Sequence, residues 1–149
     1  MVSDACSDGE MAMSKQAWQY ARIGKSYSFS AAHQLTKVPA DHQCARLHGH
    51  NYVVEVEVRG DVSERNGFCN GLDFADLDRD IRPVIDMLDH QFLNDFLDNT
   101  TAERLAQFIM DEVYKRSTRY LYSVKVWETP KCWAMVVNKD GLFHRVHKE

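Results

Sequence analysis

A thiol and two imidazoles fall close together in Cys44-x-x-x-His48-x-His50, and the chain then runs straight into an alternating segment. From His48 onward the even positions are His48, His50, Tyr52, Val54, Val56 and Val58, while the odd ones include Asn51, Glu55, Glu57 and Arg59. A strand sends every second side chain to the same face, so both histidines belong to the apolar face of a predicted strand. Residues 23–33 alternate in the same way, with Ile23, Tyr27, Phe29, Ala31 and His33 on one parity and Lys25 interrupting it. Paired as a hairpin, the two strands aim His33, His48 and His50 at one place. Three converging neutral imidazoles make a metal site with a fourth position open to water or substrate. Zinc suits such ligands, and nickel, copper and iron also take imidazole. His-x-His occurs as well in ordinary strands. Gly49 between the pair, the third in-phase histidine and the nearby cysteine favour the metal here.

Cys44 stands four residues before His48. A lone cysteine is commonly a small buried hydrophobe, but beside a cation its thiol pKa falls from about 8.5, which makes a thiolate available as base or nucleophile. It would alternatively close the site as a fourth, structural ligand. Asp89-His90 is a carboxylate-imidazole pair, able to exchange protons near neutral pH if the acid orients the ring; the bland alternative is a helix cap beside a surface ring. Glu128 shares the parity of Val124 and Val126, and a carboxylate on a buried face must be paired or must bind something. Its two oxygens suit two parallel N–H groups of a flat heterocycle, unless it is an ordinary charge at a strand end.

These residues need elements to hold them. Helical spacing of Phe74, Leu77, Ile81, Val84, Ile85 and Leu88 behind Asp73 predicts a first helix with Asp73 as its N-cap. Pro83 is expected to kink it or end it early. Thr100-Thr-Ala-Glu103 reads as a capping box opening a second helix with Leu105, Phe108, Ile109 and Val113 on its apolar face. Asn66-Gly67 and Asn70-Gly71 are turn dipeptides. Residues 120–128 alternate again, with Tyr120, Tyr122, Val124, Val126 and Glu128 on one parity, and residues 133–137 read as a return strand after Pro130. The order is ββααββ, an α+β domain in which two helices cover one face of an antiparallel sheet.

With 149 residues and 44% hydrophobic content, one domain with a proper core is expected over residues 19–149. Residues 1–18, polar and without periodicity, are expected to be a mobile extension. A net charge of −4 with acids and bases interspersed speaks against nucleic acid as a partner. The absence of any long apolar run speaks against a membrane, and the expected location is the cytoplasm. The four cysteines form no CxxC pair, so reduced thiols are expected.

Taken together, Phe29-Ser-Ala-Ala-His33, Cys44-x-x-x-His-Gly-His50, Asp73-Phe74, Leu88-Asp-His-Gln-Phe-Leu-Asn94, Thr101-x-Glu103 and Glu128-Thr129 resemble the pterin synthases that act on dihydroneopterin triphosphate. The resemblance runs from about Tyr20 to Trp133. A cysteine four residues before His-Gly-His is similar to the 6-carboxy-tetrahydropterin branch of the queuosine pathway, whereas the 6-pyruvoyl branch typically places it further upstream. The resemblance implies a T-fold subunit, three of which close their sheets into a barrel, with two trimers stacked as a homohexamer and active sites between subunits. It implies zinc on His33, His48 and His50, Cys44 as general base, Asp89 and His90 as the second proton-transfer pair, and Glu128 as the pterin anchor. The implied reaction takes 7,8-dihydroneopterin triphosphate to 6-carboxy-5,6,7,8-tetrahydropterin with release of acetaldehyde and triphosphate. Thr100 stands where proline is frequent, the turn before Asp73 is longer than the common pattern, and residues 130–132 and the tail depart from it, so no phosphate-binding residue is named.

Overall fold

The computed structural model describes residues 20–116 and 121–139; the N-terminal extension, Tyr120 and the tail beyond Lys139 lie outside them. The two alternating segments become long strands, β1 (Ala21–His33) and β2 (His48–Gly60). They pair antiparallel in unbroken register from Ala21 opposite Gly60 to His33 opposite His48. A one-to-one register puts partners on the same face, so Phe29 meets Tyr52, their rings stacked with centroids 5.0 Å apart.

The first helix, α1 (Phe74–Leu88), begins where the sequence predicts. The Asp73 carboxylate accepts the N–H groups of Ala75 and Asp76, both at 2.8 Å, and the Asp76 carboxylate accepts the Asp73 N–H at 3.1 Å. Pro83 does not end it, since α1 continues to Leu88. Pro83 and Arg79, the residue one turn before it, are both exposed, so the missing hydrogen bond falls on the solvent side, where water replaces it at small cost. Lys25, which interrupts the apolar parity of β1, reaches across to Asp78 of α1 at 2.9 Å.

Between the helices a two-residue strand, β3 (Gln91–Phe92), runs parallel to β1. The second helix is α2 (Ala102–Arg116), followed by β4 (Leu121–Thr129) and β5 (Cys132–Val137). The sheet order is β3-β1-β2-β4-β5. The expected ββααββ order and α+β class hold for the long elements. β3 makes the sheet mixed rather than wholly antiparallel. The buried faces of both helices, among them Leu77, Ile81 and Ile85 on α1 and Leu105 and Ile109 on α2, join Phe29, Tyr52, Val54, Val56 and Val124 of the sheet in one core. Both helices therefore lie on one face, the face that carries the histidines.

Two local expectations are corrected. The cap of α2 is Thr101, whose Oγ1 accepts the Arg104 N–H at 3.4 Å, while Thr100 is fully buried and engaged elsewhere. In β4 the register slips opposite Glu57 and Val58, so Ser123 faces Glu57 and Leu121 faces Val58 with Tyr122 as the extra residue. A bulge reverses the alternation on one side of it. Tyr122 accordingly leaves the core face and stacks under the guanidinium groups of Arg22 and Arg59, 5.4 and 5.7 Å from its ring.

Residues 61–72 form the turn region that the Asn-Gly pairs predict, with Gly67 and Gly71 at φ 76° and 72°. The Asn70 side chain bridges the end of β2, accepting the Asp61 N–H at 3.1 Å and donating to the Arg59 carbonyl at 3.0 Å. A Cβ at Gly60 would lie 1.7 Å from Asn70 Nδ2, so any side chain at position 60 would push the Asn70 carboxamide out of this clamp. The sheet ends in two edges: β5 on one side and, on the other, β1, which β3 covers only at Ala31 and Ala32.

Candidate metal centre

The register that aligns His33 with His48 also brings in His50, and the ligating nitrogens of these three rings all lie within 4.8 Å of one another. His33 is 2% exposed, whereas His48 and His50 are half-buried and open toward solvent. The second nitrogen of two rings is already committed. His33 Nδ1 lies 3.0 Å from the Thr100 carbonyl oxygen, and His48 Nδ1 lies 2.7 Å from that of Arg46. A carbonyl oxygen only accepts, so both Nδ1 atoms carry their proton. In the neutral rings both Nε2 atoms are then bare lone pairs, and they face each other at 3.0 Å.

Two lone pairs at that distance repel unless a cation sits between them. Protonating His33 is an unfavourable remedy, because burial, followed by the neighbouring imidazoles, pushes it below its ordinary pKa despite the Thr100 bond. A metal ion is the other. A tetrahedral ion bound at about 2.0–2.1 Å holds its nitrogens roughly 3.3 Å apart, between the 3.0 Å and 4.8 Å observed. The tie from Nδ1–H to a carbonyl is also what orients imidazole ligands in metal sites. The donor set therefore fits a divalent ion of zinc type.

Cys44 sits in a single 3-10 turn (Gln43–Ala45) just before β2. Its N–H donates to His42 Nδ1 at 3.1 Å, and its carbonyl accepts the Leu35 N–H at 2.8 Å, which ties the loop back to the end of β1. The thiol is free and half-buried, and among the described residues it is not part of the ligand group. Three imidazoles without the thiol leave the coordination sphere open.

Asp89 follows the last turn of α1, its N–H donating to Ile85 at 3.1 Å. Its carboxylate accepts the Ser30 N–H at 2.9 Å and lies 2.9 Å from His90 Nδ1. These two contacts, in that order, hold the carboxyl below its ordinary range. His90 has φ 59°, a left-handed conformation held in place by its own N–H donating to the Ser30 carbonyl at 2.6 Å. The ring is exposed and borders an open depression whose lining includes Ser30, Ala31, Ala32, Gly49, His50 and Asn51. Ser30, Ala32, Gly49 and Asn51 have the parity opposite to the imidazoles and Ala31 and His50 share it, while among the described residues neither Asp89 nor His90 belongs to the imidazole group.

Glu128 lies at the far end of β4, where a second register irregularity between Trp127 and Thr129 takes it out of the ladder. It is half-buried. Burial raises its carboxyl pKa, the Glu103 charge raises it further, and His48 acts in the opposite direction. Its charge also reaches Tyr52, whose hydroxyl is buried without a hydrogen-bond partner among the described residues. Glu128 thus belongs to the imidazole side of the sheet. The sequence offered no sign of Thr100, whose carbonyl sets the His33 ring, because a backbone acceptor leaves no mark on residue type.

The family model for 6-pyruvoyl tetrahydropterin synthase matches residues 22–139. A 6-carboxy-5,6,7,8-tetrahydropterin synthase from Synechocystis is 37% identical over 112 residues, covering 72% of this chain and 85% of the relative. The enzyme of that name from Haemophilus influenzae is 31% identical over 133 residues, covering 73% of this chain and 93% of the relative. The solved structure of Caenorhabditis elegans 6-pyruvoyl tetrahydropterin synthase superposes with a TM-score of 0.72 at 30% identity, over 80% of this chain and 96% of that one. No helix among the described residues is long and apolar enough to cross a membrane.

Proposed function

The chain belongs to the 6-pyruvoyl tetrahydropterin synthase family, and from that premise we propose that it is a zinc-dependent lyase of queuosine biosynthesis. It converts 7,8-dihydroneopterin triphosphate and one water to 6-carboxy-5,6,7,8-tetrahydropterin, releasing acetaldehyde and triphosphate, in the cytoplasm. The observation that carries this is the group of three imidazole nitrogens within 4.8 Å, with Cys44 close in sequence but outside the ligand set. That combination leaves room for substrate beside a free thiol.

His33, His48 and His50 hold the zinc, which when bound supplies a Lewis acid that draws charge from the substrate side-chain oxygens and acidifies the adjacent C–H bonds. Cys44 takes the proton as thiolate. Glu128 accepts two ring N–H groups of the pterin and so sets the distance between the ring and the reacting side chain. Asp89 holds His90 by its Nδ1, leaving Nε2 to deliver or relay a proton.

Because Asp89 and His90 are tied to Ser30 at the edge of the sheet and stand outside the imidazole group, a site that uses Cys44 and His90 together takes the pair from a neighbouring copy. The two incompletely paired edges, β1 and β5, support a head-to-tail ring of three sheets, and two such rings give the hexamer.

Incubation of the zinc-loaded protein with 7,8-dihydroneopterin triphosphate, read by mass spectrometry, is expected to yield 6-carboxy-tetrahydropterin and acetaldehyde. The likeness to the C. elegans structure favours a second outcome: 6-pyruvoyl-tetrahydropterin without acetaldehyde would move the chain to the pyruvoyl branch.

A further inference from the structure

β1 stops pairing with β2 at His33 opposite His48, so the peptide groups of Gln34 find no partner in that ladder. On the other edge β3 pairs Ala31 with Gln91 and Ala32 with Phe92 in parallel, a register that carries Asn94 to the level of Gln34. By then the backbone has turned into a single 3-10 turn (Leu93–Asp95). The Asn94 carboxamide replaces the missing peptide group: its Oδ1 accepts the Gln34 N–H at 3.0 Å, and its Nδ2 donates to the Gln34 carbonyl at 2.8 Å. The same carbonyl accepts Thr100 Oγ1 at 3.2 Å, and the Thr100 carbonyl holds His33 Nδ1 at 3.0 Å. These contacts form a closed loop through His33, Gln34 and Thr100, with Asn94 as the side chain that satisfies Gln34 on both sides.

We infer that Asn94 is a positioning residue of the metal centre. By clamping the peptide group next to His33 it fixes that ring relative to the Thr100 carbonyl, so that Nε2 faces His48 and His50. This rests on the metal-centre assignment above and adds a residue to it. The position needs one donor and one acceptor spaced as in a peptide. Aspartate offers two acceptors and sets an oxygen against the Gln34 carbonyl; alanine leaves the Gln34 N–H unmet and its carbonyl to Thr100 Oγ1 alone.

The test is zinc and Co²⁺ affinity of the full chain, the visible absorption of the cobalt form, and the melting temperature of each apo-protein. Asn70 serves as the control, since it makes the same two-bond clamp on the backbone at the far end of β2. Asn94→Ala and Asn94→Asp are expected to lose about 10-fold or more in zinc affinity, within the ~10–100-fold typical of groups that orient a ligand, and to alter the cobalt spectrum. Asn70→Ala is expected to lower the melting temperature and leave both metal readouts at wild type. Should the Asn94 variants not fold, Thr100→Val decides: it removes one bond to the Gln34 carbonyl and keeps the carbonyl that holds His33, so a smaller loss of zinc affinity is expected. Asn94 variants, or in their absence Thr100→Val, with wild-type zinc affinity and cobalt spectrum would overturn the inference. A wild-type chain that binds neither ion would overturn the metal centre itself.

Discussion

Glu128→Gln is the substitution whose effects on binding and on stability have opposite signs. The wild-type carboxylate is half-buried and repelled by Glu103, a cost that a pair of pterin N–H groups relieves. Glutamine keeps one acceptor oxygen and turns an amide nitrogen toward the second N–H. One charge-assisted hydrogen bond is worth about 1.5–3 kcal/mol, which at about 1.4 kcal/mol per decade is a loss of roughly 10- to 150-fold in pterin affinity. Zinc content should stay at wild type. Stability moves the other way. A carboxyl whose folded pKa is raised costs nothing below its ordinary value and its full penalty above the raised one. The apo Glu128→Gln chain should therefore melt higher than wild type at neutral pH, and the gap should close as the pH falls below the ordinary carboxylate range. Calorimetric titration with the product pterin and melting curves across pH measure both. Unchanged affinity removes Glu128 from the pocket, and a lower melting temperature at neutral pH refutes the account of its burial.

Cys44→Ala should keep zinc on the three histidines, stay folded and lose ~10²–10⁴-fold in turnover, as expected for a positioned proton acceptor; zinc analysis and turnover on one preparation check it, and zinc lost with the thiol would make Cys44 a ligand. Asp89→Asn should lose at least ~10²-fold in turnover, because the amide nitrogen cannot accept the His90 Nδ1 proton. Since the Ser30 N–H and His90 lower the Asp89 pKa, its contribution to stability is present above the ordinary carboxylate range and lost as the pH falls through the lowered folded value, so wild-type and variant melting temperatures should converge in acid.

The histidine group was legible because β1 and β2 are long and each keeps one apolar face, and strict alternation over such a length fixes which side chains meet. The same alternation misplaced Tyr122, since a bulge is decided by the partner strand and leaves the local pattern intact. That Pro83 does not end α1 was hidden for a different reason: its effect depends on which side of the helix faces water, and that is settled only once α1 is docked. β3 spans two residues, too few for any periodicity. The pairing of Asn94 with Gln34 joins positions 60 residues apart, where residue type carries no trace of register. That the Asp89–His90 pair is tied to Ser30 and stands outside the histidine group was equally invisible, because it follows from how α1 returns to the edge of β1.

Seen as a matter of chain length, residues 89–100 are a measured span. One end is bonded to Ser30 through Asp89 and His90, and the other holds Gln34 and His33 through Asn94 and Thr100. A residue added or removed between them would shift the proton-transfer pair, the ligand orientation or both, with no residue of either site changed. Residues 61–72 hang from the far end of β2 by the Asn70 clamp, turning through exposed Gly67 and Gly71. Homologous chains should therefore vary in length between β2 and α1 and hold it constant between α1 and α2, and a grafted peptide tag belongs in the first of these segments.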